Sequence, residues 1–295
     1  MDQFFSPRQQ IKQKKGFWHS TYQLVLLILL AFFIRTFIYG LYQVPTGSME
    51  TTMLVGERFL ADKLSIWFKK PQRGDIITLN DPTFDYSDNY VVNLFQRYIS
   101  IPFVYWGPPN WTKRVIGTPG DHVQGVIEDG KPAVYINGKK LNEPYLNKYP
   151  LIYVWNDCRK LASGGVKIDQ RRGYTPRSYD PNMSPSEQPF YRIDFDCLYP
   201  SRENPVMVEP GTVLPQDTFD VQLGDNEYWV MGDNRLGSHA SRAWGKLDGK
   251  LIHGKLLFRI WSSDSAHDWW IIDLIKHPVD FWSRMRWGRC MQRVK

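Results

Sequence analysis

The chain has 295 residues, enough to bury one large core or two smaller ones. Its 37 Lys and Arg against 30 Asp and Glu give a formal charge of +7, gathered at the two ends. Residues 7–15 hold Arg8, Lys12, Lys14 and Lys15 with no acid; the last twelve hold Arg284, Arg286, Arg289, Arg293 and Lys295, also with none. Basic ends beside apolar segments point to an anionic membrane surface rather than to nucleic acid. The three cysteines, Cys158, Cys197 and Cys290, show no C-x-x-C spacing, which argues against a zinc ribbon or thioredoxin-like site. No metal and no cofactor are expected.

In chain order, a basic N-terminus (1–16) precedes an apolar run (17–42) centred on Leu24 to Ile34. About 20 such residues, at 1.5 Å rise each, cross a ~30 Å hydrocarbon core. Arg35 sits near the far end, where its side chain can reach the interface. The run has no polar face, unlike a core helix, and no small-x-small site, unlike a cleaved signal peptide. It predicts one uncleaved transmembrane anchor. The positive-inside rule puts the N-terminus in the cytoplasm and residues from about 43 onward outside.

The body that follows reads as mainly β, folded as a barrel or sandwich-like unit. Strands are expected from about residue 58, at 75–79, and at 113–116, 122–127, 133–136, 206–208, 227–231 and 254–261. No amphipathic helix of convincing length is predicted between 44 and 260. The pattern divides into a first part of the β core (43–123), a variable lobe (124–226) and a second part of the core (227–265). A basic aromatic tail (266–295) follows. Within these, 80–111 is an aromatic insert, read either as an interfacial surface or as a flap over the core. Residues 142–205 are a loop-rich stretch. Cys158 and Cys197 could pair if that stretch is extracytoplasmic. The tail alternates Trp269, Trp270, Phe281, Trp282 and Trp287 with Arg284, Arg286 and Arg289. That mixture suits the lipid headgroup layer; the plainer reading is a terminal helix packed on the β body.

Pro45-Thr46-Gly47-Ser48-Met49 follows the apolar run with almost no spacer. A serine hydroxyl is a weak nucleophile until something takes its proton. None of the six histidines stands in a recognisable triad pattern. Lysine is the other candidate base, but only when neutral, and burial among apolar side chains lowers its proton affinity. Lys113, in Thr112-Lys113-Arg114-Val115-Ile116, enters a β-branched run. Strand alternation would bury Lys113 with Val115 and leave Arg114 exposed.

Four blocks, in this order behind an apolar run, resemble the type I signal peptidases (leader peptidases), the Ser/Lys family of membrane-anchored endopeptidases. They are Pro45 to Met49; Arg73-Gly74-Asp75-Ile76-Ile77; Lys113 to Asp121 (Lys-Arg-Val-Ile-Gly-Thr-Pro-Gly-Asp); and Gly232 to Gly245, which opens Gly-Asp-Asn. The resemblance runs to about residue 262. It implies a signal-peptidase-like β catalytic core with a second, irregular β lobe, and Ser48 as nucleophile with Lys113 as general base. It further implies Ser238 as the group orienting the lysine and Thr46 as oxyanion donor with the Ser48 N–H. Gly232, Asp233, Asn234 and Arg242 are implied as supporting residues. The implied partners are exported preproteins with small residues at −3 and −1, and the lipid bilayer; a monomer in the plasma membrane is expected.

Some positions depart from the family pattern. Ala240 stands where an aspartate usually pairs with the residue corresponding to Arg242, Leu236-Gly237 replaces the common Asp-Asn, and Thr51 replaces a frequent proline. The alternatives are a weakened or non-catalytic β-scaffold that binds exported peptides, or another Ser/Lys protease such as a self-cleaving SOS-response repressor or a conjugative-transfer peptidase.

Overall fold

The computed structural model describes residues 7–54, 56–98, 107–154, 205–263 and 270–294. Cys158, Cys197, Trp269 and most of the loop-rich stretch lie outside these residues.

A 27-residue helix, α1 (Pro7–Phe33), opens the described chain and widens into a π turn at Ile34–Ile38. Residues 19–38 form a span long and apolar enough to cross a membrane, and almost none of it is buried against the rest of the protein. The apolar run was expected to reach residue 42. Instead Tyr39 already begins a strand, because its backbone pairs with Asp62 once the chain meets the sheet.

The strands, in chain order, are β1 (Tyr39–Gln43), β2 (Arg58–Asp62), β3 (Ile76–Asn80), β4 (Asn110–Gly117), β5 (His122–Glu128), β6 (Lys131–Ile136), β7 (Lys139–Lys140), β8 (Leu151–Val154), β9 (Pro205–Val208), β10 (Phe219–Gln222), β11 (Glu227–Met231), β12 (Leu247–Asp248), β13 (Ile252–Trp261) and β14 (Gln292–Arg293). The main sheet runs β1-β2-β13-β3-β4-β11-β12, with β14 added on β13. A second sheet runs β10-β5-β6-β7, and β8 pairs with β9. Every strand pair is antiparallel. The mainly β expectation therefore holds, with two larger antiparallel sheets among the described residues.

Patterning explains the layers. Strand β2 alternates half-buried and buried positions, as a strand with one covered face does. All five residues of β3 are buried, as are the last five of β4, because these strands lie mid-sheet with both faces covered. Three of the apolar clusters among the described residues fill most of the body. One joins Met49 and Met53, beside the candidate nucleophile, to Phe59, Ile76 and Leu256. A second packs Ile77, Val115, Tyr228 and Val230 within the main sheet. The third, with Ile116, Val123, Ile136 and Trp229, ties the second sheet to the first.

The insert holds a helix that the sequence reading did not predict, α2 (Tyr90–Tyr98). Asn89 caps it: its Oδ1 accepts the N–H groups of Val91 (3.0 Å) and Val92 (3.2 Å). One such cap and an Arg97–Asn93 side-chain bond of 2.7 Å support nine residues whose apolar spacing is too short to stand out. A further short helix, α3 (Ser241–Trp244), lies in the Gly-Asp-Asn block.

The tail forms α4 (Trp270–Lys276) and α5 (Pro278–Ser283) and then returns to the sheet as β14. Phe281 is buried, while Trp282 and Trp287 stack on each other at 5.9 Å and stay exposed. Arg286 donates to the Ser263 carbonyl at 2.8 Å, and Arg289 reaches the buried Glu57. Two of the three tail arginines named above thus point into the β body, as the plainer packing reading expects.

Candidate active site

Ser48 lies in a single 3-10 turn, Gly47–Met49, between an extended Thr46 and an extended Glu50. The turn is short because apolar Met49 plunges into the core on one side. The loop is closed at its base by two backbone bonds: Val44 N–H to the Glu57 carbonyl (2.9 Å) and Gly56 N–H to the Val44 carbonyl (3.0 Å). From above, Asn234 holds it twice. Its backbone N–H donates to the Ser48 carbonyl and its Nδ2 to the Gly47 carbonyl, both at 3.1 Å.

Gly232 allows that close approach. A Cβ there would lie 2.2 Å from Ser238 Oγ and 2.4 Å from the Ser48 carbonyl oxygen, well inside contact distance. The Gly-Asp-Asn block thus packs directly on the serine turn through Gly232 and Asn234.

Strand β4 brings Lys113 to the serine across 65 positions of sequence, with Nζ 3.1 Å from Ser48 Oγ. Lys113 is only 5% exposed. Burial lowers its pKa from 10.5 to about 8, opposed in part by the charge of Asp233. The amine therefore gives up its proton at about pH 8, well below an ordinary lysine.

Arg114 corrects the alternation argument. It was expected on an exposed face but is 2% exposed. Its Nε and Nη2 bind the two Asp233 oxygens at 2.8 and 2.7 Å, and Nη1 donates to the Gly74 carbonyl at 2.8 Å. The guanidinium also lies 4.0 Å above the Tyr145 ring. Alternation separates buried from exposed residues only where one face of a strand meets water, and β4 has no such face. Asp233 is fully buried in this fork and also accepts from Thr52 Oγ1 at 2.5 Å.

The Arg-Gly-Asp block supports the lysine strand. Gly74 N–H donates to the Val115 carbonyl and the Val115 N–H to the Asp75 carbonyl, at 2.8 and 2.9 Å. Arg73 reaches Asp121 at 2.8 Å. Burial works against ionising Asp121, but hydrogen bonds from Thr118, Arg73 and Asn137 outweigh it and hold its pKa near 2.

Arg242 lacks the aspartate the family pattern supplies at residue 240. It finds Asp217 instead, from the 3-10 turn Pro215–Asp217, and donates also to the Arg235 carbonyl. Both partners of this pair are buried. Ala240 is buried and sits at the start of α3.

The remaining two predicted residues are near but not yet bonded. Ser238 Oγ is buried with no hydrogen-bond partner among the described residues, so it does not bond Lys113 in this structure. Thr46 flanks the serine turn without capping it through its side chain. Sequence reasoning missed Thr52, Glu57, Asp217, Arg259 and Arg289. No motif carries them, and their partners lie 25 to 232 positions away. Among the described residues no cluster of side chains suits a metal ion.

A β body behind an apolar helix, with a serine facing a buried lysine, defines a class of hydrolases. The family described as "Signal peptidase, peptidase S26" matches residues 17–261, and the chain belongs to it. It is a protease of that family, and the one apolar N-terminal span among the described residues fits a membrane-anchored enzyme. Signal peptidase I of Buchnera aphidicola subsp. Acyrthosiphon pisum is 29% identical over 287 residues, covering 86% of this chain and 78% of that one. Signal peptidase I of Aquifex aeolicus is 28% identical over 248 residues, covering 79% and 80%. A signal peptidase I crystal structure from Enterococcus faecalis V583 aligns at 21% identity with a TM-score of 0.28, covering 64% of this chain and 97% of that one.

Proposed function

We propose that this protease removes signal peptides from exported preproteins, with Ser48 as nucleophile and Lys113 as general base. The observation that carries the reading is Lys113 Nζ at 3.1 Å from Ser48 Oγ, on a lysine whose burial lowers its pKa to about 8. A neutral amine there accepts the hydroxyl proton as Oγ attacks the scissile carbonyl carbon. The oxyanion of the tetrahedral intermediate takes hydrogen bonds from the Ser48 N–H and the Thr46 hydroxyl. Collapse breaks the C–N bond, and Lys113 returns its proton to the leaving amine of the mature chain. Water then hydrolyses the Ser48 ester by the same base.

Ser238 orients Lys113 in this scheme. Once Lys113 is protonated it has three donors to satisfy, and the unpartnered Ser238 Oγ beside Gly232 is an acceptor for one of them. The substrate lies as an extended strand with small residues at −3 and −1. The apolar span would hold the body at the extracytoplasmic face of the plasma membrane, with the basic N-terminus in the cytoplasm, acting as a monomer.

The test is cleavage of a preprotein by the detergent-solubilised protein near pH 8. Wild type should cleave, and Ser48→Ala and Lys113→Ala should not. Lys113→Arg should also be inactive, since arginine keeps its proton. An inert wild type would favour the binding-scaffold reading, and turnover by Lys113→Arg would remove Lys113 as the base.

A further inference from the structure

The tail arginine Arg289 reaches into the β body, where its Nε meets the buried carboxylate of Glu57. The loop that carries Ser48 continues through Thr51 and Thr52 to Glu57, which is fully buried. The Glu57 carboxylate accepts from Leu54 N–H (2.9 Å), Ser262 Oγ (2.7 Å), Arg259 Nε (3.0 Å) and Arg289 Nε (2.6 Å), with Arg289 Nη2 at 3.3 Å.

One carboxylate therefore faces two guanidinium groups, and the second is more than charge balance requires. The surplus donors go to the serine loop. Arg259 Nη2 donates to the Thr52 carbonyl at 2.6 Å. Arg289 Nη2 donates to the Thr52 carbonyl at 3.1 Å and to the Thr51 carbonyl at 3.3 Å. Thr52, held there, turns its hydroxyl to Asp233 at 2.5 Å.

We propose that Arg289 is a positioning residue for the active site: it fixes Thr52, and through the Thr52 hydroxyl it fixes and partly neutralises Asp233, the acid that acts on Lys113. This rests on the Ser48–Lys113 reading and extends it to the last turn of the chain. Among the described residues, Asp233 attracts the charge of Lys113 and Arg114 is locked onto Asp233; the Lys255–Asp75 pair (2.7 Å) joins β13 to the residue before β3. Glu57 and Arg259 stand on the far side of Thr52.

The sign follows from these contacts. A hydroxyl donated to Asp233 spreads its negative charge, and a nearby guanidinium opposes it. Both hold down the proton affinity of Lys113. Losing Arg289 leaves the Thr52 carbonyl to Arg259 alone, loosens the Thr52 hydroxyl on Asp233 and removes one nearby positive charge, so the proton affinity of Lys113 rises.

The experiment is preprotein cleavage by the full chain in detergent from pH 6 to 10, for wild type, Arg289→Ala, Thr52→Val and the double variant. The acid limb of Arg289→Ala should move to higher pH, cutting the rate at pH 7 roughly threefold to tenfold. Thr52→Val should move it in the same direction, and the double variant should go little further, because the two act through one link. Arg284→Ala, whose partner in the tail is the exposed Asp280, should keep the wild-type limb. An Arg289→Ala protein with a lower melting temperature but an unmoved limb would make Arg289 a structural staple only, and would overturn the proposal. If Arg289→Ala does not fold, Thr52→Val decides by the same criterion. A wild type that does not cleave overturns both this and its parent reading; a wild type that cleaves with unmoved limbs in the variants overturns only this one.

Discussion

Lys113→Met should make the protein more stable while abolishing its activity. In the fold Lys113 loses its proton at about 8, against 10.5 for an ordinary lysine. Below pH 8 folded and unfolded chains both hold that proton, and the fold carries the full cost of a buried cation. Between 8 and 10.5 the unfolded chain binds more protons, so stability rises with pH. Above 10.5 the cost is gone. At about 1.36 kcal/mol per pH unit the integrated penalty is about 3 kcal/mol.

Methionine fills similar space with no charge to desolvate. It gives up one hydrogen bond to Ser48, worth about 1 kcal/mol. The net gain expected at pH 7 is therefore roughly 2 kcal/mol. Urea unfolding in detergent, followed by tryptophan fluorescence, measures it for both proteins. The gap should be widest at pH 7, close near pH 10 and reverse by about 1 kcal/mol at pH 11. A Lys113→Met protein less stable than wild type at pH 7, or a gap that does not vary with pH, would refute the claim that Lys113 is held against a solvation penalty.

The other expectations follow from neighbouring contacts. Asp233→Asn removes the charge that raises the Lys113 pKa, so the acid limb of cleavage should move to lower pH. The same change leaves Arg114 buried without a counter-ion, and denaturation should show a loss of about 3–5 kcal/mol. Gly232→Ala should cut cleavage by about 100-fold or more, because its Cβ displaces Ser238 Oγ or the Ser48 carbonyl; kcat comparison with a melting curve separates this from unfolding. Arg242→Ala strands a buried Asp217 and should cost about 3–5 kcal/mol of stability. The double change with Asp217→Ala should recover part of that loss, which a double-mutant cycle reads directly.

The amino-acid sequence alone determined a good deal here. The apolar run, the mainly β body and the meeting of Ser48 with Lys113 were legible, since hydropathy, turn residues and four ordered motif blocks are local properties of the chain. The Gly-Asp-Asn block was legible as a motif, though not its hydrogen bonds to the carbonyls of Gly47 and Ser48.

Tertiary structure decided the charges. Arg114 was expected in water because alternation presumes a wet face, and β4 lies between β3 and β11 with none. Arg242 had lost its expected partner at Ala240, and only folding brought Asp217 to it from 25 residues upstream. Arg289, in a tail that reads as membrane-seeking, instead reaches back 232 positions to Glu57. Burying an ion requires a counter-charge at contact distance. Which residue supplies it depends on where distant segments cross, and no periodicity in the sequence encodes that crossing.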